Sequence, residues 1–308
     1  MGCRHLRTDP SRLVCVRSVC AALVAVACTC SCSPAEQTVP APETDSIRRI
    51  VTLAPNLTEL VFAAGAGELL VGVSAYSDFP PEAGKLPVIS DAFTVDQEQL
   101  ALLKPDLLLA WRSGTPVHVV DELRAAGFNI EAIKTRGLDD VPAALLRIGE
   151  LTGHNAQARV AAENFRQSIE DIRRQYSDAS EVSVFYQVSA RPLYTINREH
   201  FIGEILSLCG GRNIFAELSE LAPSVSVEAV IDRDPEVLLA ASDSGELPFA
   251  DWQRWEGLAA NRYGNHFVVG SAEIGRATPR LLLAAHQVCV ALLTARANRE
   301  AAREKARE

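Results

Sequence analysis

Cysteine is the residue type with the widest chemical options in this chain, and its distribution is uneven. Six of the eight cysteines lie within the first 32 residues, and only Cys209 and Cys289 lie in the rest of the 308-residue chain. A thiolate can bind zinc, act as a nucleophile or pair in a disulfide. Two cysteines cannot supply a four-cysteine zinc site or a disulfide-rich scaffold, so these two kinds of structure are excluded for the body of the chain.

The histidines and glycines give no recognisable catalytic motif. The six histidines are dispersed, and the body has no His-x-x-x-His or Cys-x-x-Cys pair, Walker loop or Gly-x-Ser-x-Gly elbow. Gly65-Ala-Gly67 lacks the third glycine of a dinucleotide fingerprint and follows a predicted helix, so it predicts a helix C-cap. A metal site built from His118, His200 and acidic residues stays open beside the alternative of surface or helix-end histidines.

The N-terminus has the pattern of an export signal. Four arginines precede an apolar run of about ten residues, too short to span a bilayer of roughly 30 Å. The run ends in Val24-Ala-Val-Ala-Cys28, which resembles the lipobox of bacterial lipoproteins, with Ala25 where leucine is most usual. We therefore expect lipidation at Cys28. Plain signal-peptidase cleavage nearby is the alternative.

The segment after the signal is polar and rich in proline. Residues 33–46 have no apolar period, which predicts an extended tether. Loss of residues 1–27 removes four arginines and one aspartate and changes the net charge from −9 to −12. An acidic body argues against a nucleic acid partner.

Export bears on the two cysteines of the body. It would place Cys209 and Cys289, both on apolar faces of predicted helices, in an oxidising compartment. The sequence favours a disulfide between them, with two buried thiols as the alternative.

Apolar runs and helical patterns alternate through the body, which predicts an α/β fold with mostly parallel sheets. The alternation is interrupted once, by a proline-free amphipathic stretch that predicts one long helix from Gly153 to about Tyr176. The alternation then resumes, and the predicted elements after the long helix include a strand over 192–196, a helix over 249–259 and a helix over 279–297.

The second half of the body echoes the first. Glu98 and Glu228 are each followed seven residues later by proline and a run of apolar residues, and the segment Glu59–Gly65 resembles Glu204–Gly210. Two Rossmann-like lobes joined by a single long α-helix explain this repeat, with a ligand cleft between the lobes at the carboxyl ends of their strands. The predicted organisation is a signal over 1–27, a lipidated cysteine and tether over 28–46, an N-terminal lobe over 47–152, a helix over 153–178, a C-terminal lobe over 179–297 and a charged tail over 298–308.

Five segments resemble the periplasmic vitamin B12-binding proteins of corrinoid ABC importers, in the same order along the chain. They are Ile50–Gly65, Val71–Pro81, Leu103–Arg112, Cys209–Phe215 and Arg276–Arg280. The resemblance covers about residues 48–295 and includes both body cysteines.

The resemblance implies a function in transport and no catalysis. It implies a monomer that captures cobalamin or a related corrinoid as transported ligand, without a cofactor or metal. Its partners would be an ABC permease and ATPase complex. It would lie in the periplasm, and the N-terminal lipid would be its only contact with the membrane. The positions matching the family's ligand contacts are Tyr76, Trp111, Tyr194 and Arg276, and Glu98 and Glu228 match its permease-docking acids.

The sequence also departs from that pattern. Two further tryptophans of the family's cleft fall at Ala92 and Ala222, and a cleft aspartate falls at Ala272. We expect Phe93 and Glu273, which stand next to two of these positions, to compensate, and Phe93 is therefore a further predicted ligand-binding residue. Haem, a ferric siderophore or another metal chelate therefore remains an alternative ligand, and an exported α/β hydrolase the alternative class. Trp252 and Trp255 lie on a predicted helix, where packing is expected.

Overall fold

The computed structural model describes residues 47–243 and 248–308. The predicted signal, the lipidation site Cys28 and the tether lie outside these residues. The described chain forms two α/β lobes, in which β-strands alternate with helices along the sequence.

The N-terminal lobe is built on a parallel sheet of five strands: β1 (Ile50–Thr52), β2 (Leu70–Ser74), β3 (Val88–Ser90), β4 (Leu107–Trp111) and β5 (Ile130–Ile133). Their order across the sheet is β3-β2-β1-β4-β5. The central strands β1 and β4 are apolar almost throughout and nearly all buried, as expected for a parallel sheet covered on both faces.

Four helices belong to this lobe: α1 (Pro55–Ala63), α2 (Gln97–Leu103), α3 (Val117–Ala125) and α4 (Asp140–Thr152). Helix α1 begins with proline, which lacks the N–H that a first turn leaves unbonded. After Ala63, Gly65 has a φ of +88°, and two backbone hydrogen bonds form a Schellman cap: the Gly65 amide donates to the Phe62 carbonyl and the Ala66 amide to the Val61 carbonyl. This confirms the predicted C-cap.

Helix α5 (Asn155–Gln175) joins the lobes, close to the predicted bounds. Its buried residues Ala158, Ala162, Phe165 and Ile169 recur every three or four positions and form one apolar stripe. The largest core cluster contains this stripe together with residues of both lobes, such as Leu60. The lobes therefore share a continuous apolar core.

The strands described in the C-terminal lobe are β6 (Val182–Gln187), β7 (Ser189–Ala190), β8 (Leu193–Tyr194), β9 (Gly211–Asn213), β10 (Val237–Ala241) and β11 (His266–Val269). Strands β6, β9, β10 and β11 form a parallel sheet in the order β11-β10-β6-β9, and β7 and β8 form a separate antiparallel hairpin. The helices of this lobe are α6 (Phe201–Leu208), α7 (Val227–Arg233), α8 (Ala259–Tyr263), α9 (Ser271–Ile274) and α10 (Leu281–Lys305).

A disulfide joins Cys209, at the end of α6, to Cys289 on α10. Both residues are buried within the large core cluster. The predicted pairing is therefore present, and the alternative of two buried thiols is not.

Helix α10 is longer than the predicted helix over 279–297. Arg299 binds Glu236 at 2.9 Å, and Asn298 binds Asn265 at 2.8 Å, so the charged end of the chain is held against the lobe. By length and composition α10 could cross a membrane, but half of its apolar window is buried inside the protein. Its disulfide and its place in the core identify it as a core helix.

The predicted helix over 249–259 is wrong. The segment forms a 3₁₀ turn at Ala250–Trp252, and α8 begins only at Ala259. The Trp252 indole is buried and donates to Gln187, and the Asn261 amide donates to the carbonyls of Trp252 and Trp255. These side-chain bonds replace the bonds that a continuous helix would make.

The predicted strand over 192–196 is also too long, since β8 covers only Leu193–Tyr194. The amides of Thr195 and Asn197 instead donate to the carbonyls of Pro223 and Leu221. The short strands β3 and β9 were not predicted from the sequence.

Candidate ligand-binding site

A pocket of about 220 Å³ lies at the carboxyl ends of β1 to β4 in the N-terminal lobe. Its walls come from the loops that follow these four strands, and they bring together three of the predicted ligand residues, Tyr76, Phe93 and Trp111. Parallel strands direct their following loops to one edge of the sheet, which is why residues so far apart in sequence meet here. We call this cavity the aromatic pocket.

Tyr76 stands at the rim of the aromatic pocket with 81% of its surface exposed. Its φ of +64° is in the left-handed region, which a residue with a bulky side chain rarely adopts unless its surroundings impose it. Beneath the turn, the hydroxyl of Ser77 bonds that of Thr58 at 2.9 Å, and Thr58 bonds Thr52 at 2.7 Å. This buried hydroxyl chain fixes one side of the turn.

Phe93 is 77% exposed on a tight turn that follows β3. The Asp91 carboxylate closes this turn by accepting the amide hydrogens of Phe93 and Thr94 at 2.8 and 2.7 Å. The bond from the Phe93 amide is the largest cause of the lowered pKa of Asp91. Two exposed aromatic rings on fixed turns, those of Tyr76 and Phe93, form the kind of surface that a ligand or partner covers.

Trp111 is half-buried at the end of β4, where its backbone amide donates to the Thr115 hydroxyl at 3.0 Å. Its indole Nε1 is buried without a hydrogen-bond partner among the described residues. The six-membered ring lies directly over Gly114, where an added Cβ would stand 1.9 Å from Cε3. Gly114 is therefore the residue that makes room for this ring.

Gly114→Ala should displace the Trp111 ring and weaken ligand binding at the aromatic pocket by about tenfold or more, because packed rings tolerate little overlap. Titration with cyanocobalamin, a member of the ligand class that the resemblance implies, measures the loss of affinity, and circular dichroism checks the fold. Gly84→Ala is the matched control, since nothing lies within 4 Å of its added Cβ. Equal affinities of the two variants would contradict this function of Gly114.

Tyr194 and Arg276 do not line the aromatic pocket among its described residues. Tyr194 is partly exposed on the β7–β8 hairpin of the C-terminal lobe, where it forms an isolated bridge with Ser224. Of the positions that depart from the family's pattern, Ala92 lies in the pocket wall next to Phe93. Ala222 is exposed, and Ala272 is half-buried on α9.

Arg276 lies on the loop between α9 and α10 and binds the opposite lobe. Its guanidinium donates to Glu59 at 2.8 Å, to Asp78 at 2.6 Å and to the backbone carbonyl of Tyr76 at 2.9 Å. Thr278 donates to the second oxygen of Glu59 at 2.9 Å, and Arg280 donates to Glu59 at 3.3 Å. We call these residues the inter-lobe clasp: Glu59, Asp78, Arg276, Thr278 and Arg280.

Asp78 and Arg276 of the clasp are both charged at neutral pH. The hydrogen bond from Arg276 is the main cause that holds the pKa of Asp78 below its ordinary value. Burial opposes the charge of Arg276, but its bonds to Asp78 and Glu59 raise its pKa overall. Because the folded pKa of Asp78 is depressed, its stabilising contribution is complete above the ordinary aspartate pKa and is lost only as the pH falls through the folded value.

His200 caps a helix, since its Nδ1 accepts the Ile202 amide hydrogen at the start of α6. Burial, and secondarily the charge of Arg136, lower its pKa to about 4, so the ring is neutral at physiological pH. Among the residues described, no group of three or more His, Cys, Asp or Glu side chains is arranged to hold a metal ion.

Glu98 and Glu228 occupy equivalent places in the two lobes. Each is the second residue of a seven-residue helix, α2 or α7, and each is exposed. The helices are capped by side chains of Asp96 and Ser226, and both end in a residue with positive φ before a proline and a central strand. The sequence echo therefore reflects a true structural repeat.

Reasoning from sequence did not identify Gly114, Asp91 or the clasp partner Glu59 as parts of the site. One signal for Glu59 was present, because the segment that begins there resembles the one that begins at Glu204. The structure shows that both glutamates contact the opposite lobe, since Glu204 accepts the Leu138 amide hydrogen at 2.6 Å.

The sequence matches the family described as periplasmic binding protein over residues 50–266. It is 36% identical over 248 residues to the vitamin B12-binding protein of Vibrio cholerae, a match that covers 79% of this chain and 88% of that protein. The fold is similar to the crystal structure of the periplasmic vitamin B12-binding protein of Vibrio cholerae, with a TM-score of 0.73, 35% identity, and coverage of 81% of this chain and 98% of that chain.

A periplasmic haem-binding protein from Roseiflexus shares the fold with a TM-score of 0.70 but only 23% identity, covering 81% of this chain and 99% of that one. At that identity the similarity supports a shared fold and nothing more. The predicted architecture of two α/β lobes on a connecting helix is confirmed by the fold and by these structures, and the chain belongs to the periplasmic binding protein family.

Proposed function

We propose that this protein is the substrate-binding component of an ABC importer, and that it captures cobalamin or a related corrinoid in the periplasm. The observation that carries the proposal is the aromatic pocket, where Tyr76, Phe93 and Trp111 meet at the carboxyl ends of the strands. The similarity to vitamin B12-binding proteins over most of the chain supports the same ligand class. The protein carries its ligand without changing it chemically.

The chemistry of a corrinoid suits this pocket. A corrin is a broad, largely apolar disc edged by amides, and rigid aromatic rings cover such a disc at a low cost in side-chain entropy. A cavity of about 220 Å³ accommodates one part of so large a ligand. We propose that Tyr194, on the C-terminal lobe, contacts another part, and that Phe93 supplies the ring that Ala92 lacks.

Haem and metal chelates are the second candidate ligand class, and they require a group that binds the metal. The sequence suggests His200 as a metal ligand, but its Nδ1 already accepts the Ile202 amide hydrogen. The aromatic pocket contains no histidine among its described residues, but it contains Tyr76, and a tyrosine phenolate can bind haem iron. The similarity to vitamin B12-binding proteins over most of the chain is therefore what favours a corrinoid.

Delivery requires contact with the importer. We propose that Glu98 and Glu228, one exposed acid on each lobe, contact basic residues of the permease, whose ATPase then drives transport. Such ion pairs orient docking and raise the association rate more than they add affinity. Lipidation at Cys28, followed by the tether over residues 33–46, would hold a monomer beside the membrane.

The test is titration of the protein with cyanocobalamin, with intrinsic fluorescence or calorimetry as the readout. We expect binding at micromolar concentration or tighter, and Trp111→Ala should weaken it by at least about tenfold. Trp255→Ala is the matched control, because Trp255 is partly exposed outside the aromatic pocket and should not change the affinity. Absence of binding to cyanocobalamin and to cobinamide would overturn the ligand class, and binding of haem in their place would establish the second candidate.

A further inference from the structure

Arg276 matches a ligand contact of the resembled family, but here its side chain forms hydrogen bonds with other residues of the protein. Only 13% of that side chain is exposed, and its two terminal nitrogens bond Glu59, Asp78 and the Tyr76 carbonyl. All three acceptors belong to the N-terminal lobe, whereas Arg276 follows the last strand of the C-terminal sheet. The guanidinium therefore joins the lobes at the turn that carries Tyr76.

That turn needs support from both sides. Tyr76 has a φ of +64° and a ring that is almost fully exposed, so its own side chain makes little contact that would hold the conformation. The buried hydroxyls of Ser77 and Thr58 hold the turn from within the N-terminal lobe. Arg276 holds it from the other lobe, through the Tyr76 carbonyl and the Asp78 carboxylate.

The planar fork of arginine is suited to this task. It donates to three acceptors in fixed directions, which a lysine ammonium on a flexible stem does not reproduce. Glu59, with 3% of its side chain exposed, anchors the fork and also receives Thr278 and Arg280. The position of the fork is thus set by the clasp and not by a ligand.

We propose that Arg276 is a positioning residue that acts through Tyr76: it fixes the Tyr76 turn across the lobe boundary and so presets the orientation in which the tyrosine ring meets the ligand. The proposal rests on the ligand-binding function given above. It assigns to Arg276 a different task from direct ligand contact, and it makes affinity depend on the two bonds that Arg276 donates to the Tyr76 turn, at the Tyr76 carbonyl and the Asp78 carboxylate.

A double-mutant cycle tests this assignment with cyanocobalamin as the probe. Arg276→Lys should weaken binding by about tenfold in the native background, because the preset orientation is lost. In a Tyr76→Ala background the same change should cost less than about twofold, because the residue through which Arg276 acts is absent. Equal losses in the two backgrounds would show direct contact with the ligand and overturn the proposal.

Thr278→Val is the matched control for general damage to the clasp. It removes a hydrogen bond to Glu59 but none to the Tyr76 turn, so it should lower the unfolding midpoint and leave the affinity unchanged. An affinity loss in Thr278→Val as large as that in Arg276→Lys would show that the clasp acts through stability and not through Tyr76.

A readout without ligand separates this proposal from the proposed function. The chain has five tyrosines, so 3-fluorotyrosine labelling gives a simple ¹⁹F NMR spectrum in which Tyr76→Phe assigns one signal. Arg276→Lys should shift or broaden the Tyr76 signal, and Thr278→Val should not. An unchanged Tyr76 signal in Arg276→Lys would refute the positioning role even if no corrinoid binds, whereas failure of the native protein to bind would refute only the function.

Discussion

Replacing Glu59 by alanine is expected to lower the free energy of unfolding by about 3–5 kcal/mol, the usual cost of removing one partner from a buried ion pair. The carboxylate is almost completely buried and accepts bonds from Arg276, Arg280 and Thr278. Without it, two guanidinium groups with little exposure and a buried hydroxyl would lose the acceptor that they share. Arg276 would keep Asp78 and Arg280 would keep Glu273, but a buried charge that loses one of its acceptors costs more than the bond itself was worth.

Urea denaturation of the purified protein measures this effect, with Glu131→Ala as the matched control. Glu131 also pairs with an arginine, Arg147 at 2.8 Å, but both side chains are about a third exposed or more. A surface pair of this kind contributes about 0–1 kcal/mol. Glu59→Gln, which keeps the shape and one acceptor oxygen, should fall between the two. A loss for Glu59→Ala no larger than for Glu131→Ala would mean that the clasp does not stabilise the lobe interface.

The clasp also shows what the sequence could not predict. Glu59 and Arg276 are separated by 217 positions, and nothing in the composition around either residue indicates the other. Their contact follows from the packing of two lobes on α5, which is a property of the whole fold. The similarity between the segments at Glu59 and Glu204 indicated a repeat, but not that each glutamate would bind the opposite lobe.

Regular apolar patterns, by contrast, predicted most of the framework. The run Leu107–Trp111 is buried over its first four residues, and the stripe of Phe165 and Ile169 identifies α5, because burial of these side chains is what forms the elements. The prediction failed at 249–259, where hydrogen bonds from Asn261 and Trp252 override an apparently helical pattern. Side-chain bonds of that kind leave no periodic signal.

Charge reversal at Glu98 and Glu228 together should abolish corrinoid uptake while leaving ligand affinity unchanged. Both acids are exposed, and neither lines the aromatic pocket among the residues described there. They stand at the same position of matching helices, one on each lobe, so a permease with two basic sites would meet the protein in one orientation. Two lysines would replace both attractions by repulsions, which acts on docking and not on capture.

Uptake of labelled cyanocobalamin into cells that lack their own binding protein, but keep the importer, measures docking, and titration of the purified variants measures capture. The matched control is the pair Glu122→Lys and Glu256→Lys, which changes the net charge equally at exposed acids elsewhere on the two lobes. Each single reversal, at Glu98 or at Glu228, should reduce uptake only in part, because the other ion pair remains. If the double reversal transports like the control pair, these acids are solvated helix residues and the permease contacts another surface. If affinity falls together with uptake, the acids act on the ligand cleft, and the separation of docking from capture is wrong.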